Sequence, residues 1–276
     1  MRINIIYNHN KDNCYEIALK SAEILKQSGA HVSIFDIDAA TSNNNEETVF
    51  KTAEIIAVVG GDGTILKIAK IAALNNKAIV GINAGRLGYL ACIGADQLNS
   101  LKFLVNGDYT IENRTMILAE WYENNTLLGK CNCLNDAVIS HGAISTLIDL
   151  DIAIDNDNFF YRADGIIAAT PSGSTAYSLS AGGPVVDPTL DCFILTPVCP
   201  HTLQNRALVI NSTKTADIKV DCSKNASAYL SCDGENVYEI KRSSTIKIKR
   251  SDLNAKFIKL NDVSVYKVFS EKTKII

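Results

Sequence analysis

The chain has 276 residues, enough for about two domains and a sizeable core. Its apolar fraction of 47% and charged fraction of 21% are those of an ordinary globular protein. A net charge of −3 is the wrong sign for a nucleic-acid partner or an anionic membrane surface, and no apolar run reaches the roughly 18–20 residues of a spanning helix. The opening MRINIIYNHNKDN turns polar too early for a signal peptide. Eight cysteines show no CxxC pair and no Cys/His spacing suited to zinc. They read as reduced core residues of a cytoplasmic protein, and no metal ligand is assigned among them.

In chain order, residues 3–7 predict a short apolar strand. Residues 13–28 place Ala18, Ala22, Ile24 and Leu25 along a helix that Gly29 ends. Residues 32–37 are a second strand, and 39–52 an Asn-rich loop with a weak helix. The strand 55–59, the helix 64–74 and the strand 78–82 complete a βαβ succession. Such alternation predicts a mostly parallel sheet covered by helices, with ligands bound beyond the carboxyl ends of its strands. Residues 95–106 predict one more helix. Beyond about residue 108 the segments become short, β-branched and alternating: 116–122, 131–140, 147–154, 159–161, 217–220, 227–232, 244–249 and 256–260. That pattern predicts an all-β sandwich or stacked sheets. Residues 264–274 have helical potential and read as a segment returning to the first domain.

Chemistry concentrates in Gly60-Gly61-Asp62-Gly63-Thr64, between the 55–59 strand and the following helix. A strand turning through glycines into a helix N-terminus presents backbone N–H groups and the positive end of the helix dipole to an anion. A structural turn capped by Asp62 also fits a bare GDG. The preceding Gly60 and the following Thr64 favour a phosphate loop. It is neither a Walker A loop nor a GxGxxG fingerprint. A carboxylate there makes sense if Asp62 takes a proton from an attacking hydroxyl or helps hold a metal. Lys67, one turn on, fits both a phosphate contact and a solvated helix lysine. A second glycine loop, GINAGRLGYL at 81–90, offers Tyr89 either to a base or to packing.

Residues 165–186 carry no charge but many hydroxyls and glycines, which suits a pocket for a polar ligand bearing its own charge, or a long turn leading into a helix. Arg162 and Asp164 flank the run as a possible ion pair. Asn135-Asp136 is a diol-binding pair or a turn.

These stretches together resemble the NAD kinases. GGDGT at 60–64, GINAGRLGYL at 81–90, LNDAVIS at 134–140, YRADGIIAATPSGSTAYSLSAGGPVV at 161–186, LTPVCPHTLQNRALVI at 195–210 and SCDGE at 231–235 follow the family's motif order. The 161–186 block is the specific one, since lipid kinases and phosphofructokinases carry loops like GGDGT. The resemblance implies a Rossmann-like α/β domain over 1–107, a β-sandwich NAD-binding domain over 108–262 and a C-terminal segment over 263–276. It implies transfer of the γ-phosphoryl of ATP, or of polyphosphate, to the 2′-hydroxyl of the adenosine ribose of NAD, with Mg²⁺ or another divalent cation. Asp62 is then the general base, and Gly60, Gly61, Gly63, Thr64 and Lys67 bind phosphates. Tyr89, Asn135, Asp136, Arg162, Asp164, Thr175, Ala176, Tyr177, Ser178, Ser180 and Cys199 belong to the NAD site, with Asp233 and Glu235 as weaker candidates. A homodimer or homotetramer is implied. Two departures stand out: the family's Asn-Glu pair reads Asn135-Asp136, and its usual RPLV reads Arg206-Ala207-Leu208-Val209. Asp62→Asn is expected to fold normally and to lose most of the rate. A lipid kinase and a non-catalytic nucleotide sensor are the rival readings. The uncharged hydroxyl-rich run argues against the first, and the retained Asp62 against the second.

Overall fold

The computed structural model describes residues 1–42, 47–85, 88–142, 147–201, 205–222, 227–260 and 265–273. Arg86 and Leu87 of the second glycine loop, residues 43–46 of the Asn-rich segment, 202–204 of the HTLQNR stretch, and positions 264 and 274 of the expected last helix lie outside them. The chain divides into two compact units, Met1–Asn113 with Ala255–Ile276, and Arg114–Asn254.

The first unit opens with β1 (Arg2–Tyr7), α1 (Cys14–Gln27), β2 (His31–Asp36) and α2 (Ile37–Thr41). It continues with β3 (Ile55–Gly60), α3 (Asp62–Leu74), β4 (Ala78–Asn83), β5 (Ile93–Gly94) and α4 (Lys102–Asn106). The strands run parallel in the order β2-β1-β3-β4. Helix α1 forms because Cys14, Ile17, Ala18, Ser21, Ala22 and Leu25 recur at helical spacing and are all buried. Gly29, at φ +97°, ends it, and Ala30 N–H closes back onto Leu25 C=O at 3.0 Å. Burying Leu25 completely contributes about 1.5–3 kcal/mol. Every residue of β3 is buried, which is why it reads as a continuous apolar run. The helix expected over 95–106 is a 3₁₀ turn (Leu98–Leu101) leading into α4.

The second unit is all antiparallel. Its strands are β6 (Thr110–Glu123), which begins in the first unit, β7 (Thr126–Cys133), β8 (Asp136–His141), β9 (Ile148–Ile154), β10 (Asp157–Ala163) and β11 (Gly165–Ala169). The one-turn helix α5 (Tyr177–Ser180) precedes β12 (Cys192–Val198), β13 (Leu208–Asn211), β14 (Ala216–Asp221), β15 (Ala228–Cys232), β16 (Asn236–Ile240) and β17 (Thr245–Lys259). One sheet has the order β13-β12-β11-β8-β15-β16, and the other contains β10-β9-β14-β17 with β6 and β7. The shared core draws Ile139, Ile166, Phe193 and Leu230 from the first sheet and Ile117, Leu150, Ile218 and Ile246 from the second. This is the expected β-sandwich. After Asn254, β17 joins the first unit, where Lys256 and Phe257 pair in parallel with Ala78 and Ile79 of β4. A last helix, α6 (Val265–Thr273), follows.

Three differences from the sequence reading have physical causes. Residues 131–140 are not one strand but two, β7 and β8, because the N–H groups of 134–136 turn to a single side-chain carboxylate between them. Segments 244–249 and 256–260 are one strand, β17, carried through the polar residues between them. The continuous apolar strands β11 and β12 lack the alternation that marked the other strands, since both lie in a sheet interior and are almost entirely buried.

Candidate functional site

In the first unit the GGDGT loop joins β3 to α3. Gly60 is the last, buried residue of β3 and pairs with Asn83. Gly61 is the N-cap, and α3 starts at Asp62, two residues earlier than expected. Asp62 is therefore the first helical residue rather than the cap, and its side chain is directed elsewhere. Tyr89 N–H donates to Asp62 Oδ2 at 2.9 Å and Leu90 N–H to Oδ1 at 3.2 Å. The carboxylate thus ties the GGDGT loop to the second glycine loop. Gly88 makes this possible: a Cβ there would lie 1.9 Å from Asp62 Oδ1. Tyr89 reaches Asp62 through its backbone, and burial, then the nearby Asp62 charge, raises its hydroxyl pKa.

Thr64 is buried, and Asn8 Nδ2 donates to its hydroxyl at 2.8 Å. Gly63 is exposed in the first turn of α3, and Lys67 is half-buried one turn further on. Lys11 was missed in the sequence. Its ammonium lies 2.7 Å from where a Cβ on Gly61 would stand, so a flexible cation is positioned over the loop. The signal existed as a polar NHNKDN stretch directly after the first strand, but nothing in the spacing linked it to residue 61.

In the second unit, Asn135, Asp136 and Asp233 among the expected site residues gather at one end of the β13–β16 sheet. Asp233, buried and in a left-handed conformation at φ +51°, organises this end. Its carboxylate accepts the N–H groups of Leu134 (3.0 Å), Asn135 (2.7 Å) and Asp136 (3.0 Å), and its own N–H donates to Asp136 C=O at 2.8 Å. Thr170 completes the arrangement: its hydroxyl donates to Leu134 C=O and its N–H to Asn135 C=O. A carboxylate receiving three N–H groups makes a strong, fixed cradle. Gly173 comes so close to this loop that a Cβ would lie 2.0 Å from Asn135 O, and only glycine fits.

A cavity of about 360 Å³ opens here, lined by Asn135, Asp136, Val138, Ala176, Tyr177, Ser231, Asp233 and Gly234. That is the size of pocket that takes one part of a dinucleotide. Asn135 Oδ1 is buried with no hydrogen-bond partner. A buried acceptor without a donor costs about 1–3 kcal/mol, so this side chain is held at a cost that turning toward the cavity would relieve.

Residues 3–109 match the ATP-NAD kinase N-terminal domain family and residues 134–260 the ATP-NAD kinase C-terminal domain family. The chain belongs to the NAD kinase family. The NAD kinase of Acetivibrio thermocellus is 34% identical over 280 residues, covering 99% of this chain and 96% of that protein. That of Carboxydothermus hydrogenoformans is 37% identical over 262 residues, covering 94% and 90%. Among solved structures, an Archaeoglobus fulgidus NAD kinase in complex with ATP is similar with a TM-score of 0.78 at 27% identity, covering 100% of both chains. The fold is also that of yeast NADH kinase complexed with NADH, with a TM-score of 0.84 at 21% identity over 100% of this chain and 88% of that one.

The other positions that the NAD kinase resemblance points to are spread more widely. Arg162 does not pair with Asp164. It makes a bidentate pair with Asp149 across β9 and β10, at 2.6 and 2.7 Å. Asp164 instead lies 3.8 Å from His141 Nε2. Thr175 donates its hydroxyl to Ser172 C=O at 3.3 Å, ending the 3₁₀ turn before α5. Ala176 and Tyr177 line the cavity, while Ser180 is exposed. Ser178 turns inward: it is fully buried and its hydroxyl meets that of Thr196 at 2.9 Å. Cys199 is the exposed member of the eight free cysteines, at φ +46°, which corrects the reading of all of them as core residues. Glu235 is exposed at the turn beyond Asp233. No helix among the described residues is long and apolar enough to cross a membrane.

Proposed function

We propose that this chain transfers the γ-phosphoryl group of ATP to the 2′-hydroxyl of the adenosine ribose of NAD, giving NADP and ADP. The observation that carries this reading is the cavity lined by Asn135 and Asp136 together, with the Asn135 side-chain oxygen just beneath its surface and hydrogen-bonded to nothing in the chain. An acceptor and a carboxylate on successive residues suit a pair of vicinal ribose hydroxyls. The carboxylate of Asp136, shorter by one methylene than the family's Glu, reaches the diol at closer range or through a water. Ala176 and Tyr177 flank the nucleoside. Thr175, Ser180, Arg162, Asp164, Tyr89 and Cys199 are outlying contacts, and Ser178 acts through its backbone because its hydroxyl is engaged.

The first unit supplies the phosphoryl-transfer machinery. Gly60, Gly61, Gly63 and Thr64 carry the backbone that cradles donor phosphates, with Lys67 and Lys11 adding positive charge. The 2′-oxygen forms a bond to the γ-phosphorus as the bond from that phosphorus to the β–γ bridging oxygen breaks. ADP leaves, and the hydroxyl proton passes to Asp62. Such a transfer needs positioning and charge neutralisation more than covalent chemistry. The two N–H groups on Asp62 fix its carboxylate in orientation. A divalent cation of the Mg²⁺ class, when bound, neutralises donor phosphate charge, and Asp62 is an oxygen donor of the kind that cation takes. The ATP-bound Archaeoglobus relative supports ATP as donor. The free cysteines suit a reducing, cytoplasmic compartment, and the assembly is a homodimer or homotetramer.

The test is a coupled assay with NAD, ATP and Mg²⁺, reading NADP through an NADP-specific dehydrogenase, with polyphosphate as a second donor arm. NADP formation that falls in Asp62→Asn and shows a raised KM for NAD in Asn135→Ala supports the reading. A folded protein that makes no NADP from either donor overturns it.

A further inference from the structure

Cys131 and Cys133 stand two apart on β7 and so point to the same face. Cys232 ends β15, about a hundred residues later. The three sulfurs lie within 4.8 Å of one another. Cys133 and Cys232 are completely buried in the sandwich core, and Cys131 is partly exposed at its margin. Hydrogen bonding from Cys131, together with burial, raises the pKa of both inner thiols, so Cys133 and Cys232 rest as neutral thiols.

We infer that Cys131, Cys133 and Cys232 form an acceptor for a single trivalent thiophilic ion of the arsenite class, and that filling it loosens the nucleoside pocket. Three soft sulfur donors select soft ions and reject Mg²⁺ and Ca²⁺, which take oxygen. Charge then chooses among the soft ions. A divalent ion on three thiolates leaves a net negative charge in an apolar core, one residue from the Asp233 carboxylate, which is costly. A trivalent ion leaves none. Arsenous acid, As(OH)₃, reacts with three thiols: three S–As bonds form and three As–O bonds break. Each thiol proton departs with a hydroxide as water. Arsenic stays in its +3 state, and no oxidant or reductant is needed. Cys131 is the entrance, and the two inner thiols close the site.

The coupling follows from the chain. Cys133 precedes Leu134, whose N–H donates to Asp233, and Cys232 precedes Asp233 itself. Drawing the sulfurs onto one ion pulls on both sides of the cradle that holds Asn135 and Asp136. This coupling rests on the proposed NAD-binding role of that cradle, whereas formation of the adduct does not.

The full chain, reduced with a phosphine, is titrated with arsenite and followed by non-denaturing mass spectrometry and near-ultraviolet sulfur-to-arsenic absorbance. The expected result is one arsenic per chain with loss of three thiol hydrogens. In Cys131→Ser the adduct weakens roughly 10²-fold through loss of one intramolecular arm, while in Cys14→Ser it is unchanged. Arsenite raises the KM for NAD severalfold in the parent chain and not in Cys131→Ser. Absence of the adduct, an adduct indifferent to Cys131→Ser, or tighter binding of Cd²⁺ at the same sulfurs overturns the site. An adduct with an unaltered KM for NAD overturns the coupling alone. A chain that forms the adduct yet makes no NADP separates failure of the kinase reading from failure of the site.

Discussion

Replacing Asp62 by Asn tests the catalytic reading most directly, and the geometry changes what that variant is expected to do. From sequence the amide keeps the turn and loses only the base. In the structure the carboxylate accepts from two backbone N–H groups, one on each oxygen. An amide has one acceptor oxygen, so its NH₂ must face either Tyr89 N–H or Leu90 N–H. One hydrogen bond is lost, a donor is set against a donor, and the remaining bond loses its charge assistance. The expected loss of stability is about 1.5–3 kcal/mol. Typical domains are stable by about 5–15 kcal/mol, so Asp62→Asn stays folded while its urea midpoint falls. The rate falls further, by about 10²–10⁴-fold, which is roughly 3–5 kcal/mol of barrier. Urea unfolding and the coupled NADP assay are run on the same preparation. Gly88→Ala is the companion variant, because it displaces the carboxylate without removing it. If Asp62→Asn keeps more than about a tenth of kcat, Asp62 is not the base. If its urea midpoint matches the parent, the two N–H contacts do not hold the loop.

Four further variants, at three positions, probe the other parts of the site. Gly173→Ala drives a Cβ into the Asn135 carbonyl, and since backbone cannot yield cheaply, NAD binding should be lost at a stability cost of about 1–3 kcal/mol, read by the KM for NAD and by thermal unfolding. Asp233→Asn keeps one acceptor oxygen and should raise the KM for NAD severalfold with a modest change in kcat. Asp233→Ala strands three N–H groups at about 1–3 kcal/mol each and should compromise folding, which circular dichroism would show. Lys11→Ala should raise the KM for ATP by about tenfold, in line with loss of one charge-assisted phosphate contact, and leave the KM for NAD unchanged. An unaltered KM for ATP at low salt would remove Lys11 from the phosphate site.

Much of this was legible in the residues. The buried run at 55–59 and the glycines after it announced a parallel strand meeting a helix N-terminus, because a fully buried strand has no polar face to interrupt it. The α1 stripe and Gly29 gave that helix its face and its end for the same kind of reason, a periodicity that local geometry imposes. Asn135 and Asp136 were visible as a pair, but the group that holds them was not. Asp233 looked like a minor ligand candidate when its carboxylate is committed to three backbone N–H groups, a long-range pairing that no local pattern encodes. Ser178 lay in the right motif, yet its hydroxyl meets Thr196 inside the fold. Arg162 found Asp149 rather than Asp164 because antiparallel register places them side by side across two strands. Cys131 and Cys133 went unmarked among eight cysteines without zinc-like spacing, and their third partner came from a distant strand.

The cradle around Asp233 also sets when the pocket can exist. Its three hydrogen bonds span 97 to 99 positions of chain. During synthesis at about 5–20 residues per second, Asn135 and Asp136 emerge many seconds before the carboxylate that orders them. A nascent chain ending short of residue 233 therefore carries both pocket residues and the hydroxyl-rich run without a binding-competent arrangement. Nucleotide available in the cell can stabilise this region only after β15 has docked, which makes ligand a late guardian of the folded state rather than an early guide to it.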